Sequence, residues 1–511
     1  MQPLREQRLV EVTLSLCLVL FFQTMAYATT YYVATDGADN NAGTQTSPFQ
    51  TIQKGLDAAS PGDTVSVLPG VYNERLIIGV GKDNVTVEGV DGAIIDGSDP
   101  FAGEWKLDKG FSKKWGVYST SLEGYSGEPR AVFVDDQIVA VQDYPENTRH
   151  KIPEHNIWYW KDDFKYGLHD AEQIPWYDHT PDGWNGMKAL AMYRGDVGKM
   201  YLKIMPDGDN ATHTGSSLAG HTIKWSNRKT NVITIDGSNG ITVRHFQIKY
   251  GWRAVDVRNS KGTIIEGCQI VPTRNGIQFG VGTDACIARF NEIASYPYAD
   301  LSSWGLADDY WQFVKNGGFG PYAWEYDADT AAVMIRDSVG NHGIHDNYIH
   351  DAWDGVSTGN PDEGLANETG VNHNIEVYHN FIKNMVDDSL DPSCDCTNGR
   401  WHANLIVNGH QHIRVRIIWF GPFYLYNNIF LEGPLQQHGI MFYGDYKNLA
   451  PEVYIYNNTV DEPTDSKYKF SGLYVNSDKA DFTNTRIYNN LFYGDQYVWG
   501  HDNRNASALR K

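Results

Sequence analysis

Two short acidic segments hold the residues best suited to chemistry: Asp354-Gly355, and Asp387-Asp388-Ser389-Leu390-Asp391. Like charges held together cost free energy, so a folded chain keeps such a group with a cation, a shared proton or a use. Two chemistries fit. Three or four carboxylates from adjacent turns form a hard-cation site of the type Ca²⁺ occupies, and a bound Ca²⁺ docks a uronate carboxylate and acidifies its C5 proton for β-elimination. Alternatively, one carboxylic acid with a raised pKa protonates a glycosidic oxygen while a second carboxylate activates water or attacks.

Positions as far apart as Asp354 and Asp388 meet only if the chain coils back on itself, and the sequence shows such a coil. Asn380, Asn404 and Asn428 recur at equal intervals, and two positions beyond each stands an apolar residue. The register extends through Phe246, Cys268, Asn291, Asn347, Asn380, Asn404, Asn428, Asn458 and Asn490. Most of these intervals fall within the span that three short strands, three turns and an occasional corner loop need. The interval from Asn291 to Asn347 is much longer, and is expected to hold a further coil at Thr330–Ile335 plus a long loop. The stacked asparagines predict amide-to-amide hydrogen bonds at a turn that needs residues tolerant of the left-handed conformation.

Shortly after most ladder positions, a strand begins with a small apolar pair. The residue just before that pair forms a column: Arg253, Asn275, Ala331, Asp354, Asp388, His412, His438 and Ser471, with Gln411 fitting nearly as well as His412. Rungs of such a coil are about 4.8 Å apart. Asp354 and Asp388 are therefore expected side by side, with Asp387 and Asp391 on the same corner and His412 and His438 on the next rungs as candidate acid-base groups. The segment 294–330 supplies Trp304 and Trp311 for stacking on sugar rings, and Lys315 and Arg414 are candidate substrate contacts.

The opening of the chain carries its own pattern. Arg5 and Arg8 precede an apolar stretch, Leu9–Ala26, that ends in Ala26-Tyr27-Ala28, which reads as a signal peptide over residues 1–28 and predicts a secreted or periplasmic protein. A strand at Tyr31–Ala34, a Gly/Asp/Asn turn, an amphipathic helix within Pro48–Ala59 and strands at Asp63–Leu68 and Asn84–Gly89 follow. This order resembles the N-terminal cap and first coils of secreted right-handed parallel β-helix proteins of the pectin-lyase-like superfamily. The expected fold is all-β: a right-handed parallel β-helix with an inserted antiparallel β domain. Residues 29–100 form the cap and first coils, 101–228 the insert, where the coil rhythm stops and tryptophans cluster, and 229–511 the main helix.

The acidic motif resembles the calcium constellation of family-9 pectate lyases, an Asp-Asp-Gly-x-Asp motif preceded by an upstream Asp-Gly. The resemblance implies Ca²⁺ held by Asp354, Asp387, Asp388 and Asp391 and a uronate-containing polysaccharide as substrate. Ser389 stands where that family has glycine, and its lysine base has no counterpart, since no lysine follows the motif until Lys447. The clustered aspartates also resemble those of β-helix polygalacturonases, whose Asn-Thr-Asp and Arg-Ile-Lys signatures are absent. Hydrolysis, and a non-catalytic glycan-binding role, therefore remain open alternatives.

Composition agrees with a carbohydrate partner and argues against others. The 50 glycines, 31 tyrosines and 15 tryptophans suit a turn-rich β fold with aromatic surfaces. A formal net charge of -21 leaves no basic stripe to neutralise nucleic-acid phosphates. No stretch after the signal is long and apolar enough to span a bilayer. Beyond the signal, Cys268, Cys286, Cys394 and Cys396 permit disulfides in an exported protein without choosing among three pairings.

Overall fold

In a computed structural model, the described residues are 28–101, 103–109, 116–123, 129–135, 137–143, 189–194, 198–204, 217–227, 230–272, 274–294, 330–359, 372–385, 387–392, 397–409, 411–416, 421–431, 438–443, 452–461, 471–476, 484–493 and 497–501. The expected signal peptide, Trp304, Trp311, Lys315, Cys394 and Cys396 lie outside them, apart from Ala28 at the end of the signal. No helix among the described residues is long and apolar enough to cross a membrane.

Three long parallel sheets, of 12, 11 and 11 strands, run side by side along the chain. Each coil contributes one strand to each sheet in turn, as in Glu376–Tyr378, Phe381–Met385 and Asp388–Pro392. Every strand pairs in parallel with its counterpart in the next coil, and the crossovers take the right-handed sense that strand twist favours. The protein is thus a right-handed parallel β-helix. Its interior is a continuous apolar column; Val255, Ile277, Val333, Val356, Leu390, Ile413 and Ile440 stack along the third sheet with no exposed surface.

The N-terminal end of this column is closed by the Ile52–Ala58 helix, which buries Ile52 and Leu56. Thr51 caps the helix by accepting the Lys54 N–H, and Glu74 accepts the N–H groups of Ile52 and Gln53 at 2.8 and 3.0 Å. Between the second and third strands of an early coil, eight strands from Asp99–Pro100 to Ile223–Asn227 form a separate sheet. Its pairings are antiparallel except one parallel pair, Val141 with Ala191. Phe133 of this sheet packs on Tyr250 of the coil, ring centroids 4.0 Å apart.

The asparagine ladder forms as expected. The Nδ2 of Asn291, Asn347, Asn380, Asn404, Asn428 and Asn458 donates to the Oδ1 of the next asparagine at 2.9–3.1 Å. The same Oδ1 accepts the preceding asparagine's backbone N–H, and each Nδ2 also reaches a main-chain carbonyl, as Asn404 does to Val377. The left-handed residues are those just before the ladder: Phe290, Asp346, His379, Ala403, Asn427, Asn457 and Asn489, with φ between 54° and 57°. The long interval between Asn291 and Asn347 needs correction. Asn291 bonds Asn347 directly, and Ala331–Ile335 is the third strand of the Asn291 coil, with residues 295–329 inserted before it. Among the described residues no extra coil lies between the two, which pair directly; an insertion inside one coil lengthens the interval just as a further coil would.

Cys268 occupies a ladder position, and its N–H donates to Asn291 Oδ1 at 3.0 Å. Cys268 and Cys286 are buried free thiols, pushed by desolvation to about 12 and about 11. At another corner His342 takes an equivalent part: its Nδ1 accepts the Cys286 N–H at 3.0 Å and its ring stacks on Phe279.

Two consequences are testable. Asn404→Ala strands two buried donors and two buried acceptors around the gap, and is expected to lower unfolding free energy by about 2–4 kcal/mol in denaturant titration. Burial lowers His342 to about 4, below the ordinary histidine value, so the unfolded chain takes up its proton first. Stability from this residue is therefore present above pH ~6.5 and lost as pH falls toward ~4, a change of about 3 kcal/mol. His342→Asn, which keeps an acceptor but does not titrate, is expected to flatten that part of the pH–stability curve.

Candidate functional site

The third sheet positions the acidic residues, and the start of its strands departs from simple pairing, the second residue being skipped in the register. Alternation along a flat strand would put residues i and i+2 on one side. Here the apolar residue at i+2 is interior, as with Val356 and Leu390, while the first and fourth residues share the outer face. Their contacts show it: Arg253 meets Asp256 at 3.7 Å, and Asn275 donates to Gln278 at 3.1 Å. The second residue turns inward at the corner, where space is scarce. A Cβ on Gly355 would lie 2.3 Å from the Ser389 carbonyl oxygen, and one on Gly276 2.4 Å from that of Ala332. Ser389 lies in this inner row and is fully buried.

Two outward rows result. The first runs Arg253, Asn275, Ala331, Asp354, Asp388, Gln411, His438 and Ser471; the second runs Asp256, Gln278, Met334, Ser357, Asp391 and Arg414. Asp354, Asp387 and Asp388 come together as expected, each offering an oxygen within 4.8 Å of the others. Asp354 and Asp388 are buried, and Asp387 is half-buried. Asp354 Oδ1 accepts the Asp388 N–H at 3.0 Å, the same hook by which Asn275 holds Ala331 two coils earlier.

Asp391 stands apart from this trio. Its Oδ2 accepts the Ser357 hydroxyl at 3.0 Å, and its Oδ1 lies 3.8 Å from Arg414 Nε. Arg414 also ion-pairs Asp388 through Nη2. Burial pushes the Asp388 carboxyl well above the usual range; Arg414 opposes that shift, while Asp387, Asp391 and Asp354 add to it. Burial alone would pull Arg414 down, but Asp388, Asp391, Asp387 and Asp354 outweigh it and hold the guanidinium charged. Arg414 therefore braces the carboxylates and cannot release a proton as a base.

His412 needs correction. Gln411 pairs with Asp388 in the sheet, so His412 falls in the inner row; it is fully buried and stacks on Phe430 at 5.4 Å. An acid-base role on the outer corner does not fit that position. His438 pairs with Gln411 and faces outward, two rungs or about 10 Å from Asp388, its ring stacked on Tyr474 at 4.0 Å. The sequence reading missed Ser357 and the second outward row because it assumed a single column per strand. The signal present was a polar residue three positions on in five of six successive coils, Asp256, Gln278, Ser357, Asp391 and Arg414, with Met334 between Gln278 and Ser357.

The trio fits a hard cation. Ca²⁺–oxygen distances of about 2.3–2.6 Å place ligand oxygens within about 5 Å of one another, and carboxylates are the ligands such ions take. Asp388 Oδ1, buried, meets no hydrogen-bond donor among the described residues. Asp354, Asp387 and Asp388 would be the ligands, and Asp391 is occupied by Ser357 and Arg414.

Residues 35–77 match a family model described as a protein of unknown function (DUF1565). No match was found among curated protein sequences. Among solved structures the chain is similar to XylC in complex with xylose, with 13% identity and a TM-score of 0.45 over 91% of this chain and 86% of that one. It is also similar to a polygalacturonase from Erwinia carotovora ssp. carotovora, with 10% identity and a TM-score of 0.39 over 94% and 99%. The pectate lyase Pel9A is a third, with 8% identity and a TM-score of 0.35 over 91% and 80%. The likeness is one of fold.

Removing the brace tests the electrostatics. Arg414→Gln leaves Asp388 buried against three other carboxylates, and is expected to lower stability by about 3–5 kcal/mol at neutral pH. Adding Asp388→Asn is expected to restore a large part of it. Equal additive losses in a double-mutant cycle by thermal denaturation would show that the two side chains are not coupled.

Proposed function

We propose that this protein is a secreted or periplasmic enzyme that degrades a uronate-containing polysaccharide by Ca²⁺-assisted β-elimination on the outer face of the third sheet. The observation that carries the reading is the gathering of Asp354, Asp387 and Asp388 oxygens within 4.8 Å. Three carboxylates, each able to turn one oxygen toward the same point, are the kind of ligand set a hard cation takes, which favours a shared cation. When bound there, Ca²⁺ supplies a docking point for the uronate carboxylate and withdraws charge from its C5 position.

The chain's own residues fix the rest. Asp354 locks the next coil through the Asp388 N–H, so the carboxylates move as one body. Arg414 holds Asp388 and Asp391 from behind and limits the negative charge that a polyanion meets. His438, outward on the same row, is the candidate proton acceptor whose position suits a sugar lying along that row.

Hydrolysis is the second reading, favoured by one observation: burial drives the Asp388 carboxyl toward its protonated form, as a general acid requires. Digestion of polygalacturonate, alginate and a neutral glucan, with and without chelator, separates the two. Elimination gives unsaturated, ultraviolet-absorbing ends that vanish with chelator and return with Ca²⁺. Asp354→Asn, which keeps the hook to Asp388 but removes the charge, is expected to reduce this activity at least a hundredfold, on the order expected for a lost charged ligand or transition-state contact. New reducing ends without unsaturation would mean hydrolysis, and no cleavage of any polymer would overturn the catalytic reading.

A further inference from the structure

The outer face of the third sheet carries a second constructed feature, toward the opposite end of its strands. Val257, Phe279 and Ile335 are register partners in three successive coils, so the residues after them, Arg258, Gly280 and Arg336, form a row of their own. The Arg336 N–H donates to the Phe279 carbonyl at 2.9 Å, and the Gly280 N–H to that of Val257 at 2.9 Å, which fixes the alignment. The two arginines are two rungs, or about 10 Å, apart. Gly280 leaves the middle of the row without a side chain; a Cβ built there would meet the Val257 carbonyl oxygen at 3.3 Å, Gln278 Nε2 at 3.6 Å and Arg258 Cγ at 3.8 Å.

Both arginines keep surface for a ligand: Arg258 is 41% exposed and Arg336 31%. The groups behind them set their direction. Fully buried Asp256 holds Arg258 Nη2 at 2.7 Å and Arg253 Nη1 at 3.7 Å, and also accepts from Asn231 at 3.0 Å. Arg336 Nε lies 3.5 Å from Asp337 Oδ2. A guanidinium carries five donors in a planar fork, so an arginine braced along one edge still grips a carboxylate along another. Burial holds Arg253 below the usual arginine value; Asp256 opposes that shift, and the charges of Arg258 and Arg336 add to it. A protein of formal charge -21 keeps such like-charged neighbours on one face at a cost.

We propose that Arg258, Gly280 and Arg336 form an anionic-sugar subsite that receives a uronate carboxylate of the glycan away from the bond being cleaved. The row lies on the same outer face as Asp354, whose coil follows that of Arg336 directly. Glycine at position 280 admits the carboxylate between the forks, where any longer side chain would stand in its place. The subsite deepens the reading of the acidic corner as a uronate-degrading site and rests on it only for the identity of the ligand.

Calorimetric titration with tetragalacturonate, tetraguluronate and the neutral tetramer cellotetraose tests the subsite, with every protein carrying Asp387→Asn to stop turnover. At least one uronate tetramer is expected to bind, cellotetraose to bind at least tenfold more weakly, and Arg258→Gln with Arg336→Gln to weaken the uronate tetramer about tenfold or more. Gly280→Asp provides a variant that keeps both arginines. A Cβ there meets nothing closer than 3.3 Å, so the fold tolerates it with a small shift while the new carboxylate occupies the middle of the row, with a similar loss of binding expected. Unchanged affinity in both variants at an unchanged thermal midpoint, or no binding of either uronate tetramer to the parent, overturns the subsite. If the binding losses appear but the protein without substitutions releases no unsaturated ends, the elimination reading fails and the subsite stands.

Discussion

A parallel solenoid sets each residue directly above its counterpart one coil later, at the ~4.8 Å spacing of hydrogen-bonded strands, and every other property of this molecule follows from that constraint. Stacking of like on like rewards side chains that complement themselves. An amide does, because it carries both donor and acceptor: each ladder asparagine gives Nδ2 to the next Oδ1 and receives the previous one. Aromatic rings do as well. His345, Tyr378, His402, Tyr426, Tyr456 and Tyr488 form one face-to-face stack along the 12-stranded sheet, with centroids 4.6–5.3 Å apart.

A carboxylate fails the same test, since it only accepts. Elsewhere along the helix the chain alternates sign where charges must stack, as in Glu88, Arg244, Glu266 and Arg289, which pair across successive coils. At Asp354 and Asp388 it does not. The stack of acids is kept and buried, and Arg414 enters from the next coil and the neighbouring row to offset part of the charge. Local rules for stable stacking are satisfied over most of the molecule and broken at this corner, which is where a use other than stability is expected.

The sequence made the coil legible because the ladder asparagines recur at similar intervals and their apolar followers face one core. It also placed Asp354 beside Asp388, a relation that depends only on counting coils. It failed where local geometry departs from simple alternation. At the start of the third strand the second and third residues are both interior, which strict alternation does not predict, so the pattern alone leaves His412 level with Gln411 and does not reveal the row that holds Ser357. Likewise, the long interval between Asn291 and Asn347 was read as an extra coil because chain length alone cannot distinguish an added coil from an insertion within one. The role of Arg414 was out of reach for a different reason. Its charge is held by Asp387, Asp388 and Asp391 of the preceding coil and Asp354 of the one before that, which the fold alone brings within its reach.

The outer face of this sheet carries both clusters on which the proposed sites rest. Near the start of the strands, stacking of the first positions sets Asp354 beside Asp388, with Asp387 immediately before the latter. Toward the other end, past the interior pair of Val257 and Phe279, the strand has returned to regular pleating and the outward position carries Arg258, Gly280 and Arg336. The carboxylate trio thus lies near one end of the strands, with Arg414 against it, and Arg258 and Arg336 lie toward the other. A polyanionic glycan crossing that face would meet cation-mediated attraction at the first edge and direct ion pairing at the second, and so could approach a strongly acidic protein in a fixed orientation.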